Sequence, residues 1–402
     1  MKKFNYEARD KATNETVRSI VQADSENSAA KVLIEQGLMP LKLNEIDGEN
    51  NLLSRLTNRI TSKDKVVFLR QMSTLIGAGL PLSQSLRTVL EQTQNKKMQA
   101  IVEEIIAEVE GGHTLSDAFA KHPEAFDTIV VALVSAGEAS GTLDEALQRV
   151  AAQKEKDAAM MSRIRGAMVY PVIVLFVIFG VMIFMLLTVV PQVDKLYKDM
   201  KKTLPLLTQI MISTADFLIH YWWAAIIVLI IIAYFTRQYL RTESGIKFKD
   251  TFKLNVPMFS GMFRKLYMAR FARTGQTLLS TGVAMLDMMR ISSESVNNTI
   301  ISKSIDRAAE KVKGGKALSV ALKPEDYILP MLPQMIKIGE QSGKIDEMMG
   351  KTAQVYEDEL DDEIKAISTA IEPILMVFLA VFAGGMVGAI LFPIYSLVGS
   401  IQ

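Results

Sequence analysis

Three long stretches without a charged residue limit what this chain can fold into. Residues 166–193 contain VIVLFVIFGVMIFMLLTVV, 217–236 contain WWAAIIVLIIIAY, and 373–402 contain ILMVFLAVFAGGMVGAILF. Roughly 20 apolar residues in helical conformation cross the hydrocarbon of a bilayer. A buried core helix is seldom this long or this uniformly apolar. Each stretch is therefore expected to be a membrane helix. The chain opens on the polar sequence MKKFNYEARDK, which lacks the apolar core of a cleavable signal peptide.

Basic residues beside the apolar stretches orient them. Arg149, Lys154, Lys156, Arg163 and Arg165 precede the first; Arg237, Arg241, Lys247, Lys249 and Lys253 follow the second. Between the first and second, Lys195, Lys198, Lys201 and Lys202 are offset by three aspartates, and the C-terminal end carries no cation. Both large hydrophilic regions are expected in the cytoplasm, and the C-terminus outside.

The charge balance, 45 basic against 44 acidic residues, is not that of a nucleic-acid binder. No cysteine is present, which excludes disulfides, thiolate metal sites and cysteine nucleophiles. His113, His122 and His220 are scattered, so no histidine-rich metal site is expected.

The chain repeats itself. GEASGTLDEAL at 137–147 recurs as GEQSGKIDEMM at 339–349, and EVEGGHTLSDAF at 108–119 recurs as EKVKGGKALSVAL at 310–322. FLRQMSTLIGAGLPL at 68–82 matches FARTGQTLLSTGVAM at 271–285, with Phe68, Arg70, Thr74, Leu75 and Gly79 recurring. Pro171 and Pro191 return as Pro373 and Pro393 around the third stretch. Such self-similarity marks a duplicated structural unit. Thr61 with Asp64 fits a capping box, and Phe68, Met72 and Leu75 keep helical spacing. Each copy is expected to be a bundle of five or six short helices closing into a membrane helix. The second stretch has no counterpart. An unrepeated span between the copies keeps both bundles on one side of the membrane.

In the second copy, Gly339, Gly343 and Lys344 imitate a phosphate-binding loop. That loop needs four residues between its glycines and a Ser or Thr after the lysine. Here there are three, Ile345 follows, and the first copy has Thr142 in place of the lysine. The stretch reads instead as a helix–turn–helix corner: glycine ends one helix in the left-handed conformation. Ser or Thr then caps the next, and Asp144-Glu145 or Asp346-Glu347 sits in its first turn. No nucleotide site, catalytic residue, metal site or cofactor is expected.

Residues 1–46 differ. FNYEARD and VRSIVQA alternate like strands, a helix begins near Ser25, and LKLNEI follows Gly37, which together predict a small ββαβ module. The expected order is that module; a linker at 47–60; a first bundle at 61–165; a span at 166–193; an external loop at 194–216; a span at 217–236; a second bundle at 237–370; a span at 371–398; and an external tail at 399–402. The fold class is mainly α, two repeated helical bundles with three transmembrane helices behind a small α+β module.

RIRGAMVYPVIVLFVIFGVMIFMLLTVVP at 163–191, with its basic entry, Tyr-Pro and closing Pro, resembles the signature of the F family of secretion components. These are the inner-membrane platform proteins of type IV pilus and type II secretion machines. The duplicated Gly-Glu-x-Ser-Gly bundle and the order of three spans are similar too. The resemblance covers nearly the whole chain. It implies a non-enzymatic protein of the bacterial inner membrane that touches a cytoplasmic hexameric ATPase and other inner-membrane assembly proteins. Such a platform helps lift pilins or pseudopilins into a filament and is expected to self-associate in the lipid bilayer. A transporter is disfavoured, since only His220 is ionisable within the apolar cores. A signalling scaffold lacks sensor or kinase motifs.

Candidate partner contacts are Glu138 and Glu340 at the corners, Asp144 and Asp346 just after them, and Glu357 and Asp361 in the acidic run YEDELDDEI. That run could equally be a solvated helix face. Gly384 and Gly388, four residues apart on the third stretch, would let membrane helices approach closely.

Overall fold

In the computed structural model, residues 2–10, 16–23, 28, 30, 33, 37–46, 59–199 and 206–398 are described. The expected linker lies almost wholly outside these residues, as do part of the external loop and the tail. The N-terminal region forms a three-stranded antiparallel sheet. β1 (Lys2–Asp10) lies between β2 (Thr16–Ala23) and β3 (Leu38–Ile46), with a register shift at Glu7/Ala8. Ser28, Ala30 and Leu33, between β2 and β3, are helical.

Everything described after Ile60 is helical or a turn between helices. The first copy comprises α1 (Ser62–Gly77), α2 (Leu82–Gln92), α3 (Lys96–Glu110), α4 (Leu115–Ala120), α5 (Thr128–Ser140) and α6 (Leu143–Asp199). α7 (Leu206–Tyr239) and α8 (Glu243–Asn255) follow. The second copy repeats the first, as α9 (Ser260–Ser280), α10 (Met285–Val296), α11 (Thr299–Lys313), α12 (Leu318–Leu322), α13 (Met331–Ser342) and α14 (Ile345–Val398).

Some helix starts are shared between the copies and others are not. Thr61 closes the expected capping box on α1, accepting from the Asp64 amide at 3.2 Å while Asp64 accepts from the Thr61 amide at 2.8 Å. Asn95 caps α3, accepting from Lys97 and Met98 N–H at 3.1 Å. Its counterpart Asn298 caps α11 through Ile300 and Ile301. Each copy lays its first and fifth helices along the long sixth one, α1 and α5 on α6, α9 and α13 on α14. Phe68 and Phe271, equivalent in the repeat, are both buried. Phe68, Phe119 and Phe126 form an aromatic knot, with Phe119 and Phe126 stacked at 3.9 Å.

α6 and α14 are single helices of 57 and 54 residues that begin in the bundles and continue through the apolar stretches. Pro171 and Pro191 do not bracket a separate span; both lie inside α6. A proline removes one donor and strains one turn, and neighbouring turns absorb that in a membrane helix. Bundle and span are thus mechanically continuous. Among the described residues, α6 and α14 are long and apolar enough to cross a membrane, and a third span is counted if α7 and α8 form one bent pair. The apolar side chains of α6 and α14 are exposed there, Phe176 at 80% and Val181 at 55%. α7 is as apolar, with a kink at Tyr221, and bends by 96° into α8.

Candidate functional site

The Gly-Glu-x-Ser-Gly corners join α5 to α6 and α13 to α14. Gly141 (φ 75°) and Gly343 (φ 70°) take the left-handed conformation expected of them. The Thr142 N–H reaches the Gly137 carbonyl at 2.8 Å, and Lys344 N–H reaches that of Gly339 at 2.9 Å. Lys344 is an exposed side chain paired with Glu347 at 3.2 Å, in the ordinary turn of a helix corner.

Three other positions of the motif depart from expectation. The serines do not cap the following helix. Ser140 donates back to Ala136 O at 2.8 Å and Ser342 to Ile338 O at 2.9 Å. The first glycines are there for proximity. A Cβ on Gly137 would lie 2.4 Å from the Ala146 Cβ, and one on Gly339 would lie 2.7 Å from the Ile345 Cα.

Glu138 and Glu340 are not exposed corner residues but half-buried caps. The Glu138 carboxylate accepts from Leu115 N–H at 2.6 Å, Ser116 N–H at 3.0 Å and the Ser116 hydroxyl at 2.6 Å. Glu340 accepts from Ser319 N–H at 3.1 Å and from the Ser319 hydroxyl. Each satisfies orphan amides at the start of a short helix, α4, which Thr114 also caps through the Asp117 N–H at 3.0 Å, or α12, where Ala317 offers no side-chain cap. Sequence spacing does not reveal this, because the partners lie more than twenty residues away. The repeat could have: Leu115-Ser116 and Leu318-Ser319 recur alongside the glutamates.

The other candidates fall in two places. Asp144 is exposed and lines a cleft of about 460 Å³ with Arg70, Ser73 and Gln148. Asp346 occupies the first turn of α14. Internal cations hold much of the acidic run, while Asp358 and Asp362 stay exposed. Glu357 pairs with Arg273 at 2.8 Å, Glu359 and Glu363 share Lys265, and Asp361 binds Arg163 across the copies. Arg70 and Glu155 repeat the Arg273–Glu357 pair in the first copy. Gly384 and Gly388 are exposed, and a Cβ on either would meet nothing within 4 Å. Among the described residues, no other helix of the chain reaches them.

One difference between the copies opens a cleft. Lys265 reaches Glu359 at 2.9 Å and Glu363 at 2.8 Å, but the equivalent positions in the first copy are Ser62, Asp157 and Met161. Where the second copy is closed by an ion triad, the first has a cleft of about 520 Å³, lined also by Lys65, Arg165 and Arg270. Without its ammonium partner, Asp157 has its pKa raised above the ordinary 3.8, first by desolvation and against the pull of Lys154 and Arg270. A raised carboxylate pKa means that ionisation costs stability above the shifted value and costs nothing below 3.8. Asp157→Asn should therefore stabilise the chain at neutral pH, and the gain should shrink to nothing as pH falls through the aspartate range. Thermal unfolding at a series of pH values checks this. An equal or lower midpoint for the variant at neutral pH would refute it.

Comparison with known proteins accounts for the duplicated frame. The type II secretion system protein F family matches twice, over residues 68–191 and 271–393, and its N-terminal domain matches residues 1–44. The chain is 34% identical to "Type IV pilus assembly protein PilC" of Thermus thermophilus over 404 aligned residues, covering 99% of both chains. It is 35% identical to the PilC of Myxococcus xanthus, covering 99% of this chain and 96% of that one. With "Type II secretion system protein F" of Vibrio cholerae it shares 30% identity over 98% of each.

Proposed function

The chain belongs to the type II secretion system protein F family, and from that premise we propose that it is the inner-membrane platform of a type IV pilus-like machine. It couples a cytoplasmic hexameric ATPase to the assembly of pilins. It has no enzymatic activity of its own. The observation that carries this reading is the continuity of α6 and α14. Each joins a helical bundle to an apolar membrane segment without a break. A displacement applied to a bundle therefore reaches the membrane segment through a rigid helix, not a loose linker. Arg163–Asp361 and the bond from Arg149 to the Ser280 hydroxyl at 2.6 Å tie the two copies into one body. The pilus reading is preferred over secretion because relatives named for pilus assembly reach 33–35% identity and those named for secretion 30–31%.

In this account α7 is the second of three spans. Both bundles then face the cytoplasm and Gln402 lies outside. Glu138 and Glu340 act by holding the corners in shape, while the exposed Asp144 and the rims of its cleft remain candidates for partner contact. Gly384 and Gly388 are candidates for a seam between copies in the bilayer. The topology is tested by alkaline phosphatase fusions. A fusion at Gln402 should be active and one after Gly245 inactive, and the reverse pattern would end the three-span arrangement.

A further inference from the structure

α8 has an unusual position. It follows the apolar α7 after a three-residue turn and runs at 96° to it. It also lies outside both repeats of the family match. If α7 crosses the membrane, a helix perpendicular to it lies along the membrane surface. Its side chains are sorted accordingly. Asp250 and Leu254 are buried against the second bundle. The Asp250 carboxylate accepts from Thr299 N–H at 2.8 Å and from the Thr299 hydroxyl at 2.9 Å, at the start of α11. Phe248 and Phe252 are 61% and 59% exposed, with rings stacked at 6.2 Å. Two bare phenylalanines one turn apart are costly in water.

Which way they face follows from Gly245. A Cβ there would fall 2.0 Å from the Tyr239 carbonyl oxygen and 2.9 Å from the Leu240 Cα. The Gly245 face is thus pressed against the end of α7, the side on which the membrane would lie. Phe248 and Phe252 come three and seven residues later and share that face. Lys247 and Lys249 are exposed, Lys249 one turn after Gly245 on the same face, and Arg237 and Arg241 stand at the approach. Aromatic rings beneath a headgroup layer with flanking cations at its rim are how an interfacial helix binds an anionic bilayer.

We propose that α8 is a membrane-surface anchor, seating Phe248 and Phe252 at the boundary between headgroups and acyl chains of anionic phospholipid. The inference rests on α7 being a span. Through Asp250 and Thr299 the anchor also fixes the attitude of the second bundle to the membrane plane, so that force on the bundle is not lost in rocking.

The chain has no cysteine, which makes depth measurement direct. Single-cysteine variants F248C, F252C, I227C and D144C of the full chain would carry an environment-sensitive fluorophore. They would be reconstituted into vesicles of phosphatidylethanolamine and phosphatidylglycerol. Labels at 248 and 252 should be quenched by lipid spin-labelled high on the acyl chain and be several-fold less sensitive to aqueous iodide than the label at 144. The label at 227 should be quenched by a deep spin label. If 227 is deep but 248 and 252 respond to iodide as 144 does, the anchor is refuted and the span stands. If 227 itself is open to iodide, the span fails and the anchor falls with it.

Discussion

Charge reversal at Glu138 is expected to unfold the first bundle around α4 instead of merely weakening a contact with a partner. The carboxylate holds two buried backbone amides and a hydroxyl, and Leu115 and Ser116 are only 1% and 7% exposed. Losing the acceptor strands these donors, at about 1–3 kcal/mol for each unsatisfied group. Lysine would also put a cation at the positive end of a helix. Glu138→Lys should cost about 4 kcal/mol, and Glu340→Lys, with two bonds to replace, about 3 kcal/mol. Glu138→Gln, which keeps an acceptor, should lose less than half as much. Thermal unfolding of the purified full chain, with limited proteolysis across residues 111–128, would read both effects. A Glu138→Lys protein of native stability that nonetheless failed in assembly would show that the residue works by contact.

The second large effect sets local preference against packing. Gly137 and Gly339 lie within helices, where alanine is favoured over glycine by about 1 kcal/mol. On propensity alone Gly→Ala should stabilise. The geometry predicts the opposite sign. A single methyl at 137 would sit 2.4 Å from Ala146 Cβ, and at 339 it would meet backbone, Ile345 Cα at 2.7 Å. Backbone cannot swing aside as a flexible side chain can, so the corner must open. Gly339→Ala should cost about 2 kcal/mol net, and Gly339→Val about 3 kcal/mol or more. Gly137→Ala should cost at least as much, because the Ala146 Cβ is fixed to its backbone and lies closer still, at 2.4 Å. Denaturant unfolding of the alanine and valine pairs decides the matter. Stabilisation by alanine at 339 would mean that the helices are not in contact at the corner.

These two cases show how far the sequence could be read. The duplication, the helical bundles and the left-handed Gly141 and Gly343 were legible because each depends on neighbours in sequence or on a visible recurrence. The capping box at Thr61 was legible for the same reason. The work of Glu138 was not, since its partners Leu115 and Ser116 are brought to it by the fold. Nor was the internal neutralisation of Glu357 and Asp361, which depends on Arg273 and Arg163 from other helices. An acidic run looks alike in sequence whether it faces water or guanidinium groups. The span expected at 166–193 already contained Pro171 and Pro191, and α6 runs through both. What local pattern did not show is that the same helix reaches back to Leu143.

The central claim is that this chain does no chemistry itself and transmits the work of a cytoplasmic motor to filament subunits in the membrane. The most direct measurement is a paired one. The full chain, extracted from its native membrane, is tested for co-purification of a hexameric ATPase and for hydrolysis of ATP on its own. Cells lacking the chain are imaged for surface filaments. The account predicts a co-purifying ATPase, no hydrolysis by the chain alone, and the loss of filaments. ATP hydrolysis by the purified chain, abolished by Lys344→Ala, or undiminished filaments in cells without it, would contradict the account.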